Sequence, residues 1–289
     1  MSQSDDVTSP NVETTLIDSL AILGAGKMGE TLVSALLRTG AIDPASITMT
    51  ATHESRLERV ADLYGVSTTR DNVAAAKDAA AVLLCVKPQI APRVLEEIAP
   101  VVGPEQPVIS IVAGLTTAMM EDRLAEGVPV VRAMPNTPSR ICSGMTAICG
   151  GRHATKHHID LSQALFRRIG RAMVLDETYF DAVTGLSASG PAFIYVVIEA
   201  LAEGGVKVGL PRQVATELAA QTCLGAANLV IETGHHPALL KDEVTTPAGC
   251  TVDGLLELEA GGLRVTLIKA VVEAARRARE LVDESEERA

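Results

Sequence analysis

Aromatic residues are scarce in this chain, with three Phe, three Tyr and no Trp among 289 residues. Its core must therefore be built from Ala, Val, Leu and Ile, and small side chains at that level let helices approach closely. Positive charge is also short. Lys and Arg number 25 against 36 Asp and Glu, a formal net charge of −11, which argues against nucleic acid or an anionic membrane as the main partner, since both need a clustered basic surface. No uninterrupted apolar run reaches the roughly 18 residues that span a bilayer, so no membrane segment is expected. Met1 to Pro10 are polar and acidic and lack the charged-then-apolar order of a signal peptide, so residues 1–17 are expected to be a flexible extension. The cysteines Cys85, Cys142, Cys149, Cys223 and Cys250 are dispersed, with no C-x-x-C pair. An odd, scattered set without a leader fits a reducing, cytoplasmic location. His153, His157 and His158 fall in a polar linker, and His235 and His236 in a turn before Pro237. No predicted helix carries an i, i+4 His pair with a carboxylate, so no metal site is expected.

What remains is a chain of ordinary globular composition, 47% hydrophobic and 21% charged, long enough for two domains. From Leu16 to Ala113 short apolar runs alternate with helical patterns. Leu20–Leu23, Ile47–Thr50, Ala81–Val86, Pro107–Ala113 and Pro129–Met134 read as buried strands, and Ala147–Cys149 and Ala172–Leu175 as further ones. Apolar strands separated by helices predict a doubly wound parallel sheet covered on both faces, the N-terminal α/β domain, over residues 18–177. After Glu177 the rhythm changes. Phe193–Ala202, Arg212–Glu232 and Leu263–Leu281 are long Ala/Val/Leu-rich helical stretches, which make residues 178–289 an all-α C-terminal domain. Several are apolar on more than one face, as in Ala219–Val230. A domain of about a hundred residues has little interior for such helices, and a homodimer interface is the simplest resolution. Asp283–Ala289 reads as a solvated charged tail.

The sharpest motif is Gly24-Ala25-Gly26-Lys27-Met28-Gly29, which follows the strand ending at Leu23 and opens a helix. In that context G-x-G-x-x-G points to a dinucleotide. Gly24 permits the tight turn, Gly26 lets backbone approach the pyrophosphate, and Gly29 allows close helix–strand packing. The helix start adds unpaired N–H groups and a positive dipole end. The second strand ends without the Asp or Glu that would take NAD ribose hydroxyls. Thr50, Thr52, His53 and Arg56 instead offer donors suited to a 2′-phosphate, so NADP(H) is expected, with NAD(H) as the alternative. Three polar segments exceed the needs of packing: Val86-Lys87-Pro88-Gln89 and Arg132-Ala-Met-Pro-Asn-Thr-Pro138 at the carboxyl edge of the sheet, and a loop from Leu240 to Thr251 that feeds a helix over Val252–Glu259.

With these segments the sequence resembles pyrroline-5-carboxylate reductase from about Leu20 to Leu281. The resemblance rests on GAGKMG at 24–29, VKPQ at 86–89, AGL at 113–115, RAMPNTP at 132–138, DAVTGLSASGPAF at 181–193, EALAEGGVKVGLPR at 199–212 and HPALLKDEVTTPAGCT at 236–251. It implies a Rossmann-like domain followed by a helical dimerisation domain, in dimers that assemble further into decamers. It also implies that 1-pyrroline-5-carboxylate is reduced to L-proline, the last step of proline biosynthesis. By the same resemblance Ala25 to Gly29, the turn after Thr50, Asn72, Val86, Lys87, Pro88, Ala113 and Gly114 hold NADP(H), joined from the strand and turn readings by Leu23, Gly24, Thr50, Thr52 and Arg56. Glu177, Val244, Cys250 and Thr251 match positions around the substrate, and the Ser189-Gly190 turn is expected near its carboxylate. A protonated cyclic imine is already electrophilic, so such a site needs alignment more than a strong acid. The Thr251 hydroxyl is expected at the ring nitrogen, orienting it or relaying a proton, and the Cys250 and Thr251 amides at the carboxylate. A helix N-cap role for Thr251 is the plain alternative.

Two rivals share the plan. A β-hydroxyacid dehydrogenase would want a Lys on the helix after the GLSASGP segment, and Phe193–Glu203 holds none. A non-catalytic NADPH sensor would not need the intact polar segments at 185–191 and 244–251.

Overall fold

In the computed structural model, which describes residues 16–286, β1 (Leu20–Leu23) is buried along its whole length. Around it lie β2 (Ile47–Thr50), β3 (Ser67–Thr69), β4 (Ala81–Leu84), β5 (Val108–Ser110), β6 (Val130–Met134), β7 (Gly144–Gly150) and β8 (Gly170–Val174). They form one sheet in the order β3-β2-β1-β4-β5-β6-β7-β8. The first six strands are mutually parallel, β7 runs antiparallel to β6, and β8 is parallel to β7.

The expectation of a parallel sheet therefore fails at one place. β6 and β7 are joined only by a 3₁₀ turn, Thr137–Ile141, and a parallel return needs a crossover of a dozen or more residues. The Asn136 side chain pins this reversal by accepting from the Met145 N–H at 2.9 Å. β3 was not foreseen either. It is three polar residues on the sheet edge, too short and too hydrophilic for an apolar-run criterion.

Side chains alternate between the two faces, as the strand period requires. Ile22, Met49, Leu83 and Ile109 meet α1 (Lys27–Arg38), α2 (Glu54–Tyr64) and α6 (Lys156–Arg167) through Leu32, Val33, Leu36, Val60, Leu165 and Phe166. Ala21, Leu23, Val82 and Leu84 meet α3 (Asn72–Lys77), α4 (Ala91–Ile98) and α5 (Thr117–Glu121) on the other face. Of the expected N-terminal extension, residues 1–15 lie outside the described residues. Its last two do not extend: Ile17 is buried and the Leu16 N–H donates to the Ala41 carbonyl.

Beyond the sheet come α7 (Phe180–Val183), a π-helical stretch Thr184–Ala188, α8 (Gly190–Lys207), α9 (Arg212–Thr233), α10 (Pro237–Val244), α11 (Cys250–Ala260) and α12 (Leu263–Glu286). The chain divides into two compact units. One ends at Val183 and resumes at Arg277; the other is Thr184–Arg276. The Arg279–Asp181 ion pair, 3.2 Å, ties the end of α12 into the first. The charged segment from Asp283 is helical as far as Glu286. Within the second unit the buried cluster is small, Ala202, Ala215 and Ala219. Tyr195, Val196, Leu218, Leu256, Ile268 and Val272 keep half or more of their surface exposed. Two stretches, Glu177–Lys207 and Arg212–Thr233, are long and apolar enough to cross a bilayer by length and composition, with mean hydropathy 1.5 and 1.3 over 18 residues. A search for unbroken apolar runs misses them, because Gly, Thr and single Glu residues interrupt them.

Candidate functional site

The parallel register brings Leu23, Thr50, Leu84, Ser110 and Thr69 into line at one edge of the sheet. Every expected cofactor residue ends one of these strands, follows it, or lies in the first turn of the next helix. At the centre is the glycine turn. Gly24 has φ +108°, and a Cβ there would stand 2.8 Å from the Cys85 carbonyl oxygen. A Cβ on Gly29 would land on the Gly24 carbonyl oxygen, whereas one on Gly26 would meet nothing closer than 3.9 Å. Gly24 and Gly29 are thus demanded by the protein itself. Gly26, the N-cap of α1 with no side-chain cap, leaves its space to whatever approaches the turn. These residues fit a dinucleotide pyrophosphate. Replacing Gly29 by Ala should weaken NADPH binding about tenfold or more, because helix and turn must part. Unchanged affinity in calorimetric titration would show that the turn does not carry the phosphates.

Beneath the turn runs a chain of hydrogen bonds. Thr50, 3% exposed, accepts the Gly24 N–H on its hydroxyl at 3.2 Å and donates to Asn72 Oδ1 at 2.7 Å. Asn72 Nδ2 donates to Glu97, 2.9 Å, which Arg93 also holds. The Thr50 carbonyl accepts the Ala25 N–H at 2.7 Å. The Thr50 side chain thus supports the turn from inside. Arg56 Nε donates to the Ala25 carbonyl at 2.7 Å and its Nη2 pairs with Glu30. Thr52 and Lys87 are exposed. Pro88 follows in the turn closed by the Ile90 N–H on the Lys87 carbonyl. Val86 is half-buried, and Ala113 precedes Gly114, whose φ is +73°.

The 132–138 segment ends β6 at the expected edge, with Arg132 inside the strand opposite Ser110 and only 3% exposed. The Arg132 guanidinium sits 4.7 Å above the Phe180 ring and pairs with Glu177 at 2.9 Å. Glu177 also accepts from the Thr117 N–H, 2.9 Å, and the Thr117 hydroxyl, 2.5 Å. Both carboxylate oxygens are engaged, so Glu177 acts as a clamp joining β6, α5 and the chain after β8. Burial, then the Glu177 carboxylate, pushes the neighbouring Cys149 thiol up to about 12, and burial also raises Cys85. Neither supplies a thiolate nucleophile. His157 and His158, expected in a linker, belong to α6. His158 Nδ1 accepts the Thr155 N–H as half of a capping box. Burial, then His157, holds its pKa below the usual value.

In the second unit, the segment from Leu240 is half helix. Pro237 opens α10, and only 245–249 form the loop. That loop is tight: Ala248 has φ +56°, and the Gly249 N–H donates to the Thr246 carbonyl at 3.0 Å. A non-glycine residue in this region costs about a kcal/mol and persists where the surroundings over-determine it. Gly249 is the N-cap of α11. Thr251, half-buried, stands one position inside the helix, so the plain N-cap alternative does not hold for it. Cys250 and Thr251 are the first residues of α11, whose N–H groups have no intrahelical acceptor. Cys250 and Val244 are exposed. Ser189 caps α8 without a side-chain bond, directly after the π stretch, and the space beside Gly190 is open. π-helical insertions of this kind occur frequently at functional sites. Glu30, Arg59 and Glu97 carry no signal in the sequence because the contacts that tie them to the site, Arg59 to Glu30 and Asn72 to Glu97, span 25 to 29 residues. Among the described residues no group of three or more His, Cys, Asp or Glu could hold a metal ion.

Residues 177–281 match the family model described as pyrroline-5-carboxylate reductase dimerisation, and 19–114 match NADP oxidoreductase coenzyme F420-dependent. The pyrroline-5-carboxylate reductase of Methanosarcina acetivorans is 40% identical, over 91% of this chain and 97% of its own. A solved pyrroline-5-carboxylate reductase from Coxiella burnetii superposes with a TM-score of 0.85 at 35% identity, covering 92% of this chain and 98% of that one. A Plasmodium falciparum pyrroline carboxylate reductase, solved with NADP bound, gives 0.83 at 26% identity, covering 93% and 100%. With a sheet of doubly wound order, a glycine turn shaped for a pyrophosphate and a relative at 40% identity along nearly its whole length, the chain belongs to the pyrroline-5-carboxylate reductase family.

Proposed function

We propose that this protein reduces 1-pyrroline-5-carboxylate to L-proline, the last step of proline biosynthesis, with NADPH as the preferred donor. The observation that carries the reading is that the Gly24–Gly29 turn is built with open space at Gly26, in a chain of this family that also keeps the Thr245–Thr251 turn. A nicotinamide cofactor held at the sheet edge would supply a hydride to the carbon of the protonated imine; the C=N π electrons would pass to the ring nitrogen, leaving the secondary amine and the oxidised cofactor. The protein's share is to bind, orient and exclude water. On this reading the Thr251 hydroxyl bonds the ring nitrogen, and the Cys250 and Thr251 amides, with the Ser189–Gly190 segment, hold the carboxylate. The sheet edge holds the cofactor through Leu23 to Gly29, Asn72, Val86 to Pro88, and Ala113–Gly114. Thr52 and Arg56 serve its 2′-phosphate side, with Thr50 supporting from below. Glu177 serves the substrate through the segment it clamps.

The exposed apolar faces of α8, α9, α11 and α12 serve self-association: a homodimer, and decamers built from dimers, rather than insertion in lipid. The five dispersed, unpaired cysteines agree with a cytoplasmic enzyme. The deciding assay follows oxidation of NADPH and of NADH by purified protein with 1-pyrroline-5-carboxylate. Turnover is expected with both and faster with NADPH. No turnover with either refutes the reading, and faster turnover with NADH refutes the cofactor preference.

A further inference from the structure

Glu30 is a carboxylate in the first turn of α1, where a phosphate-binding helix normally keeps its positive end free for the ligand. It is nearly buried, with 11% of its side chain exposed, and it holds two arginines at once. Arg56 Nη2 pairs with Oε1. Arg59 Nη1 and Nη2 reach Oε1 and Oε2 at 3.3 and 3.2 Å. Arg56 is fixed a second time by the bond from Nε to the Ala25 carbonyl at 2.7 Å, on the glycine turn itself. A guanidinium has five N–H donors. Nε and one on Nη2 are spent, which leaves both Nη1 hydrogens and one on Nη2. The group lines a cleft of about 600 Å³ bounded by α1, α2 and the turn after β6, to which Lys27 and Arg140 contribute two more cations. In a chain of net charge −11, four cations against one carboxylate at a single spot mark a place for an anion.

The position says which anion. Arg56 lies between the glycine turn, which takes the pyrophosphate, and the end of β2, where a doubly wound fold receives the adenosine ribose. A phosphomonoester on that ribose carries close to two negative charges at neutral pH. Two arginines and Glu30 sum to one positive charge, so the carboxylate does not abolish the attraction. It holds a pair of long, flexible side chains where the ligand needs them, before the ligand arrives. Arranging them in advance removes an ordering cost from binding.

We propose that Glu30 is a positioning residue for cofactor choice: by holding Arg56 and Arg59 beside the glycine turn it sets the preference for the 2′-phosphorylated dinucleotide. This rests on the functional reading above. The test is calorimetric titration of NADPH, NADH, 2′,5′-ADP and inorganic phosphate into the wild type and the variants Arg56→Gln, Arg59→Gln, Glu30→Gln and Glu30→Asp, with thermal melts of each. Arg56→Gln should cut the ratio of NADPH to NADH affinity about 30-fold, the loss of a charged hydrogen-bonding group. Glu30→Gln should cut it about tenfold although it adds net positive charge, because the arginines are no longer held. Glu30→Asp should restore part of the ratio, and 2′,5′-ADP should follow NADPH. Tighter NADPH binding by Glu30→Gln would show that Glu30 only cancels charge, and would overturn the proposal. Equal weakening of both dinucleotides would also overturn it, as would an effect on inorganic phosphate alone. A wild type that binds neither dinucleotide defeats the functional reading as well. One that reduces the imine with an unaltered ratio in every variant defeats this inference alone.

Discussion

Replacing Glu177 by Ala should cost the fold about 3 kcal/mol, the penalty for stranding a buried charge after its partner is removed. The Arg132 guanidinium has 4% of its side chain exposed and would lose its paired carboxylate while remaining against the Phe180 ring. Thr117 would lose the acceptor for both its N–H and its hydroxyl. Glu177 itself is 28% exposed, so water offsets part of the loss, and the estimate sits at the low end of the range for buried pairs. Urea unfolding followed by circular dichroism measures it. The companion experiment is the double variant Arg132→Met with Glu177→Leu. It removes the charge and the need for it together and should recover most of the stability. A loss below about 1 kcal/mol in Glu177→Ala, together with a raised KM for the imine, would contradict the clamp and make Glu177 a direct ligand.

Thr251→Ala should leave stability unchanged and lower kcat by about 10²- to 10³-fold, the usual worth of a positioned hydrogen-bonding or proton-transferring group. The two halves of that expectation come from different observations. Stability is spared because Gly249, not Thr251, caps α11, and no hydrogen bond from the Thr251 hydroxyl is seen among the described residues. The rate falls because the iminium nitrogen loses the group that orients it. Thr251→Ser keeps the hydroxyl and should keep most of the rate. A Thr251→Ala enzyme with unaffected kcat sinks the assignment. A raised KM with unchanged kcat would make the residue a binding group only.

How much of this was legible in the chain depended on distance along it. The glycine turn is six consecutive residues between a strand and a helix, and its demands are local: a positive φ at Gly24 and no Cβ at Gly29. The parallel strands were legible because burial on both faces makes them continuously apolar. β3 and α10 escaped for the opposite reason. Three polar residues at a sheet edge carry no apolar signal, and α10 opens on a proline in a polar segment. The antiparallel β7 was in principle readable from the short connection after Pro135, since too few residues remain there for a crossover.

The site divides in the same way. Arg56 could be suspected from its place after the second strand. That it is held by Glu30, 26 residues earlier, could not, because nothing in a helical Glu distinguishes a solvated residue from one that organises two arginines. Arg132 and Glu177 are 45 residues apart, and only strand pairing and the turn into α7 bring them together. By itself the sequence determined the sheet's repeating plan, the cradle for a pyrophosphate and the family to which the chain belongs, because each rests on contiguous residues whose backbone or burial leaves few alternatives. Only the tertiary structure decided which polar groups were free to meet a ligand. Thr50 supports the turn, Glu177 clamps three elements and Glu30 holds the arginines because each found a partner in the folded chain, and a hydrogen-bonding group already paired in the interior has little left to offer a ligand.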